Sequence, residues 1–243
     1  MRPLPLSFQL ELTADGSPTL SWTGPDGIRE KMHHSQGALS ESRYIYQYAL
    51  REVLRRDWPV RILSMGLGLG YNEWLVLAEM LQSGRDDWML WSFEVNHDLR
   101  AAFLRTLASA ALPPEDSLVA AFEHVLFCVA TEMKLTSKEL KIFATRAIKA
   151  GRLQLREAFP NCASTLDEVT CVFYDAFSRQ THPELWTEAG LRADFEKLIS
   201  TRCIFASYAA TGSLNRALKA LGFRLSPRAG FAFKRESTLA IRG

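Results

Sequence analysis

At 243 residues, 47% of them hydrophobic, the chain can build one sizeable α/β domain and an appendage around its core. A formal net charge of +2 excludes a global electrostatic drive toward nucleic acid, so any such binding must come from a local patch. No apolar run approaches the roughly 20 residues of a membrane span, and Met1–Leu10, with two prolines and polar residues, does not read as a signal peptide; a soluble, cytoplasmic protein is expected.

Residues Phe8–Glu30 alternate weakly and carry turn signals at Asp15-Gly16 and Asp26-Gly27, which predicts a small hairpin array with strands near Phe8–Leu12 and Thr19–Trp22. His33-His34-Ser35 and Gly37 follow, and Ser40 or Ser42 can then cap a helix with Ile45, Tyr48, Ala49 and Val53 toward one side. The two histidines lack a third ligand, so no metal is expected, and a turn exposed near a ligand pocket is the better reading. Residues 1–57 are taken as a β-rich extension and 58–243 as the main domain.

The apolar run Val60–Met65 enters a triple-glycine turn at Gly66, Gly68 and Gly70, and a helical pattern on Trp74, Leu75, Leu77, Ala78 and Leu81 follows at once. A second apolar run, Trp88–Phe93, ends in Glu94, so the unit reads as βαβ with a carboxylate at the tip of its second strand. Glycines let backbone approach a ligand, the helix start offers unpaired N–H donors, and a carboxylate accepts both hydroxyls of a ribose, so a nucleoside-bearing cofactor fits all three. The dinucleotide spacing G-x-G-x-x-G/A fails, because the place of its small residue is filled by Tyr71 or Glu73. The spacing G-x-G-x-G resembles instead the first motif of Rossmann-like S-adenosylmethionine-dependent methyltransferases; a ligand-free tight turn is the plainer alternative.

Asp98–Ala111 then reads as a helix on Leu99, Phe103 and Leu107, and Pro113-Pro114 leads into more helical pattern, an insertion of about residues 110–150. Its last helix, about Thr131–Ala150, sets Met133, Leu140, Phe143, Ala144 and Ala147 against Lys134, Lys138, Lys141 and Lys149. Four such lysines are ordinarily a solvated face; the sharper reading is a phosphate-contacting surface for RNA, provided that it borders the cleft. Arg152–Leu155 is a third strand ending at Glu157, and Val169–Tyr174 a fourth ending at Asp175. Pro183–Ile199 reads as helical, Arg202–Ser207 as a fifth strand, Ser213–Leu221 as a helix, and Phe223–Leu225 with Phe231–Ile241 as a closing antiparallel pair. A doubly wound, mostly parallel sheet of this kind brings Gly66–Gly70, Glu94, Glu157 and Asp175 to one crevice. The scattered cysteines Cys128, Cys162, Cys171 and Cys203 are read as reduced, with Cys171 and Cys203 in the core.

The run FYDAFSRQTHPELW, with Asp175, Phe177, Pro183 and Trp186, resembles the segment after the fourth strand in MnmD and in the N-terminal methyltransferase half of MnmC, which act in tRNA wobble-uridine modification. Thr13–Leu20, His33–Tyr46, Gly66–Asn72 and Ser207–Glu236 fall in the order of that family, so the likeness spans nearly all of the chain except about Ala110–Ala150. It implies a class I methyltransferase fold, S-adenosylmethionine as cofactor, and methyl transfer to the primary amine of 5-aminomethyl-(2-thio)uridine in the anticodon region of tRNA. It further implies Asp175 as the carboxylate that orients the amine and takes its proton, and cofactor contacts from Gly66, Gly68, Gly70, Asn72 and Glu94. Glu157 would face the adenine, with a surface glutamate as the alternative. Ser35 and Glu41 would line the methionine end, with helix capping the alternative for Glu41, and Phe177 and Trp186 would wall off the base.

Three positions depart from the family. Ser64 stands where an acid usually precedes the first glycine by two residues, Arg179 replaces a proline, and Glu157 lies where the family tends to have Gly-Asp-Ala. A divergent S-adenosylmethionine-binding protein with altered substrate or no turnover is the alternative function. No sign of the FAD-dependent oxidase domain of fused relatives is present, so a stand-alone enzyme that works with a separate oxidase is expected.

Overall fold

The computed structural model describes residues 8–23, 27, 29–108, 116–157, 159, 166, 168–176, 179–180, 182–226, 228–232 and 236–243. Its N-terminal strands β1 (Phe8–Leu12) and β2 (Pro18–Thr23) form an antiparallel hairpin, with β3 (Arg29–Lys31) on the other side of β2. The turn Thr13–Ser17 has a second task. It caps α1 (Ala38–Ser42): Ala38 N donates to Thr13 Oγ1 at 3.2 Å, Leu39 N to Ser17 Oγ at 3.1 Å and Ser40 N to Asp15 Oδ2 at 3.1 Å. A helix start leaves several N–H groups unpaired, and here a remote turn satisfies three of them, so neither Ser40 nor Ser42 is the cap that the local sequence suggests. Gly37 precedes the helix because a Cβ there would run into the Asp15 carboxylate. Burial opposes ionisation of Asp15, but hydrogen bonds from Ser17, Thr13 and Ser40 outweigh it and hold the pKa at about 2.

One wide π turn, Arg43–Gln47, follows α1 and leads into α2 (Tyr48–Arg55). Ile45, Ala49 and Val53 face the core as expected, but Tyr48 does not: it is exposed, with the Arg228 guanidinium 4.0 Å from its ring centroid. The extra residue of the π turn shifts the side-chain phase and swings Tyr48 outward.

The main sheet has seven strands in the order β6-β5-β4-β7-β8-β10-β9. β4 (Val60–Met65), β5 (Trp88–Phe93) and β7 (Val169–Tyr174) have the bounds that their apolar runs predict. β6 (Leu153–Arg156) and β8 (Ile199–Ser207) complete a five-stranded parallel block. β10 (Thr238–Arg242) enters antiparallel between β8 and β9 (Arg224–Ser226), the expected closing pair with a second strand shorter than predicted. Ile199, read as the end of a helix, starts β8; the helical stretch before it is a 3₁₀ turn, Pro183–Trp186, and α7 (Glu188–Phe195).

The strands are buried on both faces, as parallel sheets are. One face packs α1, α2, α3 (Tyr71–Ser83), α4 (His97–Ala108), α5 (Ser117–Glu132) and α6 (Ser137–Lys149); Val60, Ile62, Trp88 and Leu90 point into it. The other packs α7 and α8 (Gly212–Ala220) on Leu63, Met65, Trp91 and Phe93. The hairpin residues Phe8 and Leu20 share the first core, so the N-terminal extension is built onto the sheet domain. Within the insertion, the single helix predicted from Thr131 is two helices. α5 ends at Glu132, and α6 begins after Thr136, whose side chain caps Glu139 N while the Glu139 carboxylate accepts Thr136 N, a reciprocal capping box. Lys134 lies in the turn between them at φ 56°. Cys171 and Cys203 are buried free thiols; Cys162 is outside the described residues.

Candidate active site

The winding of the sheet reverses at β4, with β5 and β6 to one side and β7 and β8 to the other. Beyond the carboxyl ends of β4, β5 and β7 lies a cavity of about 730 Å³, bounded above by residues of the β3 segment. Its floor is the glycine turn. Gly66 has φ +88°, and a Cβ there would run into the carbonyl oxygen of Asp175, so only glycine lets β4 and β7 come this close. Gly66 N donates to Phe93 O at 2.9 Å and Asp175 N to Met65 O at 3.1 Å, which stitches the three strand ends together. Gly68 also lines the cavity, whereas Gly70 serves the start of α3, where a Cβ would press on the Phe103 ring at 3.3 Å.

Glu94 closes one side. Its Oε2 accepts Gly68 N at 3.3 Å and its Oε1 accepts Asn96 N at 2.8 Å, which aims the carboxylate across the cavity. Burial raises its pKa, partly offset by these backbone donors. Asp175 stands opposite, half-buried, its Oδ2 accepting from Asn72 Nδ2 at 3.0 Å. The buried Tyr46 phenol also bonds to Asp175, and both desolvation and the Asp175 charge push its pKa up. Asn72 Oδ1 is buried without a hydrogen-bond partner, an acceptor at the cavity wall.

Ser35 and Glu41 line the cavity as expected, and so do His33 and His34. Glu41 does not cap α1; its Oε2 accepts His34 N at 2.7 Å and closes the turn that carries the histidines. Glu157 reaches the rim, mostly exposed and 3.4 Å from Arg100. Trp186 is a correction: the 3₁₀ turn points its indole inward, 2% exposed, edge-on to Tyr174 and Tyr208, so it is a core residue and cannot stack on a base. Phe177 lies outside the described residues. None of Lys134, Lys138 and Lys141 lines the cavity; Lys134 and Lys138 are exposed, and the partly buried Lys141 pairs with Glu123 on α5. Among the described residues, no cluster of three or more His, Cys, Asp or Glu could hold a metal, and no helix is long and apolar enough to cross a membrane.

Tyr46 and Tyr208 were missed from sequence. Tyr208 N donates to Tyr46 Oη at 3.4 Å, and Tyr208 Oη donates to Ala176 O at 3.0 Å, so the pair buttresses Asp175. Apolar patterning singles out neither hydroxyl, since Tyr46 is buried in the core and Tyr208 packs partly buried against it.

The site suits S-adenosylmethionine. Its ribose hydroxyls match Glu94, its ammonium matches the orphaned Asn72 Oδ1, and the glycine floor accepts close approach. Comparison with known proteins agrees. Residues 127–243 match the model of a family described as S-adenosyl-L-methionine-dependent methyltransferase. The MnmC bifunctional protein of tRNA 5-methylaminomethyl-2-thiouridine biosynthesis from Aromatoleum aromaticum is 26% identical over 241 residues, 94% of this chain and 34% of that protein. The MnmC of Magnetococcus marinus is 32% identical over 98 residues, 39% of this chain and 14% of that protein. The chain thus spans about a third or less of the length of these relatives. The crystal structure of MNMC2 from Aquifex aeolicus superimposes with a TM-score of 0.66 at 24% identity, covering 98% of this chain and 72% of that one.

Sheet order, switch point and glycine turn define a Rossmann-like fold, and residues 127–243 resemble the S-adenosyl-L-methionine-dependent methyltransferases. More narrowly, the chain is similar in sequence to the bifunctional MnmC proteins and in fold to MNMC2.

Proposed function

We propose that the protein methylates the primary amine of 5-aminomethyl-(2-thio)uridine at the wobble position of tRNA, in the cytoplasm, in functional pairing with an FAD-dependent oxidase activity. The observation that carries this reading is Asp175, held at the cavity wall by Asn72 and Tyr46 opposite the cofactor-binding carboxylate Glu94. The names of the relatives supply the substrate class.

When bound, the cofactor supplies a methyl group on a sulfonium. An alkylammonium is protonated near neutral pH and has no lone pair for attack, so the site must orient the amine and remove a proton. Asp175 does both: its charge attracts the ammonium, and its carboxylate takes or relays one proton to free the lone pair, so that the N–C bond would form as the methyl–sulfur bond breaks and the sulfur leaves as a neutral thioether. Asn72 and Tyr46 fix its direction, which is the positioning that turns an encounter into an in-line approach. Glu94, Gly66 and Gly68 hold the nucleoside end, and Ser35 and Glu41 border the cavity under the β3 segment.

The test is methyl transfer to unfractionated tRNA from cells that lack the activity, read as conversion of the aminomethyl to the methylaminomethyl nucleoside. Absence of transfer, with the cofactor demonstrably bound, would leave a binding protein and overturn the reading.

A further inference from the structure

Two serines interrupt apolar strands at one level of the sheet. Ser64 in β4 and Ser92 in β5 are register partners, both fully buried, and both point to the face covered by α3. Between them sits Glu73, from the first turn of α3, itself 0% exposed. Ser64 Oγ donates to its Oε1 at 2.9 Å and Ser92 Oγ donates to the same oxygen at 2.8 Å, while Oε2 has no partner. Burying a carboxyl among strands is costly, and apolar side chains of similar volume would pack there at less expense, so stability does not explain the trio. Its position does point to a role. One residue beyond Ser64 and Ser92, at Met65 and Phe93, the strands end, and the chains part to form the glycine turn and Glu94, the two elements that converge at Gly68 N.

We propose that Glu73 is the positioning residue of the cofactor cradle: a buried carboxyl delivered from α3 that ties the ends of β4 and β5 together through Ser64 and Ser92. The inference rests on the reading of the cavity as the S-adenosylmethionine site. Glu73 itself does not line the cavity; it acts through the spacing of the two strand ends. Burial raises its pKa to about 7, in keeping with a group held in place for geometry.

The experiment is an acid transplant, with calorimetric S-adenosylmethionine affinity, steady-state kinetics and thermal melting measured on the whole chain. Glu73→Ala is expected to weaken affinity at least ten-fold and raise KM for the cofactor while kcat at saturation stays within about three-fold. Glu73→Gln, whose amide oxygen still accepts from both serines, is expected to keep wild-type affinity within about three-fold. The double variant Ser64→Glu/Glu73→Ala, which restores the carboxyl from the strand side, is expected to recover the affinity lost by Glu73→Ala. A folded double variant that binds as poorly as Glu73→Ala overturns the proposal, as does a folded Glu73→Ala that binds like wild type. Should Glu73→Ala not fold, a folded double variant with wild-type affinity supports the proposal, and a weak-binding Glu73→Gln overturns it. Wild-type protein that fails to bind the cofactor would overturn the cofactor reading itself, and this inference with it.

Discussion

Asp175 and Glu94 are both carboxylates at strand tips, but their surroundings separate their tasks. Glu94 is spanned by backbone donors; Asp175 is held by the side chains of Asn72 and Tyr46. Glu94→Ala removes a charge-assisted acceptor worth roughly 1.5–3 kcal/mol, so S-adenosylmethionine affinity should fall about ten-fold to a hundred-fold in a calorimetric titration. Unchanged affinity would remove Glu94 from the site. Asp175→Asn preserves size and hydrogen bonding without the charge, and should lower methyl transfer by a factor on the order of 10²–10⁴ with cofactor binding intact. Near wild-type transfer across a pH series would place the base elsewhere. Glu73 leaves a different signature. Its folded pKa of about 7 lies above the ordinary carboxylate value of 4.5, because burial disfavours the charged form. Its contribution to stability is therefore fully present below about pH 4.5 and is lost as pH rises through about 7. Glu73→Gln cannot ionise, so relative to wild type it should gain up to about 3 kcal/mol between pH 5 and pH 8 in denaturant unfolding. Parallel pH–stability curves for the two proteins would refute that assignment.

At the level of elements, what the sequence made legible depended on how local the determining signal was. β4, β5 and β7 were readable to the residue, because a strand buried on both faces is a short unbroken apolar run bounded by turn residues. The glycine turn was readable for the same reason. The insertion was misread where two helices share one apolar face: α5 and α6 keep a common phase across the turn at Lys134, and the capping box Thr136–Glu139 was the overlooked signal that a new helix starts there. No local signal could show that Thr13–Ser17 caps α1, since that bond spans 25 residues between Ala38 and Thr13. Trp186 was taken for a wall of the site because an aromatic after a functional aspartate suggests stacking; the 3₁₀ turn that buries it depends on contacts with Tyr174 and Tyr208. Trp186→Ala should accordingly cost about 3–5 kcal/mol of stability, as large core deletions do, and a loss confined to substrate binding at unchanged stability would contradict its core assignment. Replacing Lys134, Lys138 and Lys141 together by Gln should leave the salt dependence of tRNA binding unchanged, because the α6 face lies away from the cavity. A shallower salt slope would bring that helix back into the substrate surface.

On the scale of the whole molecule, the site is a joint product of distant parts of the chain. The glycine turn and Glu94 come from one βαβ unit, Asp175 from the strand across the switch point, and the bounding turn of Glu41 and the histidines from the N-terminal extension. That extension is clasped in turn by residues far downstream. Tyr44 Oη donates to Ala229 O at 3.0 Å across 185 positions of sequence, the Arg228 guanidinium lies 4.0 Å from the ring centroids of both Tyr44 and Tyr48, and Phe231 packs against His34 and Tyr44. During synthesis on the ribosome, therefore, the segment that bounds the cavity is made well before the residues that latch it. Until residues 228–231 have emerged, the nascent chain lacks the clasp on its own N-terminal layer, and β10 has yet to insert between β8 and β9. Competence to bind ligand should then arrive abruptly once residues 228–242 have left the ribosome, and the order of synthesis gives the open form a lifetime that the folded domain does not have.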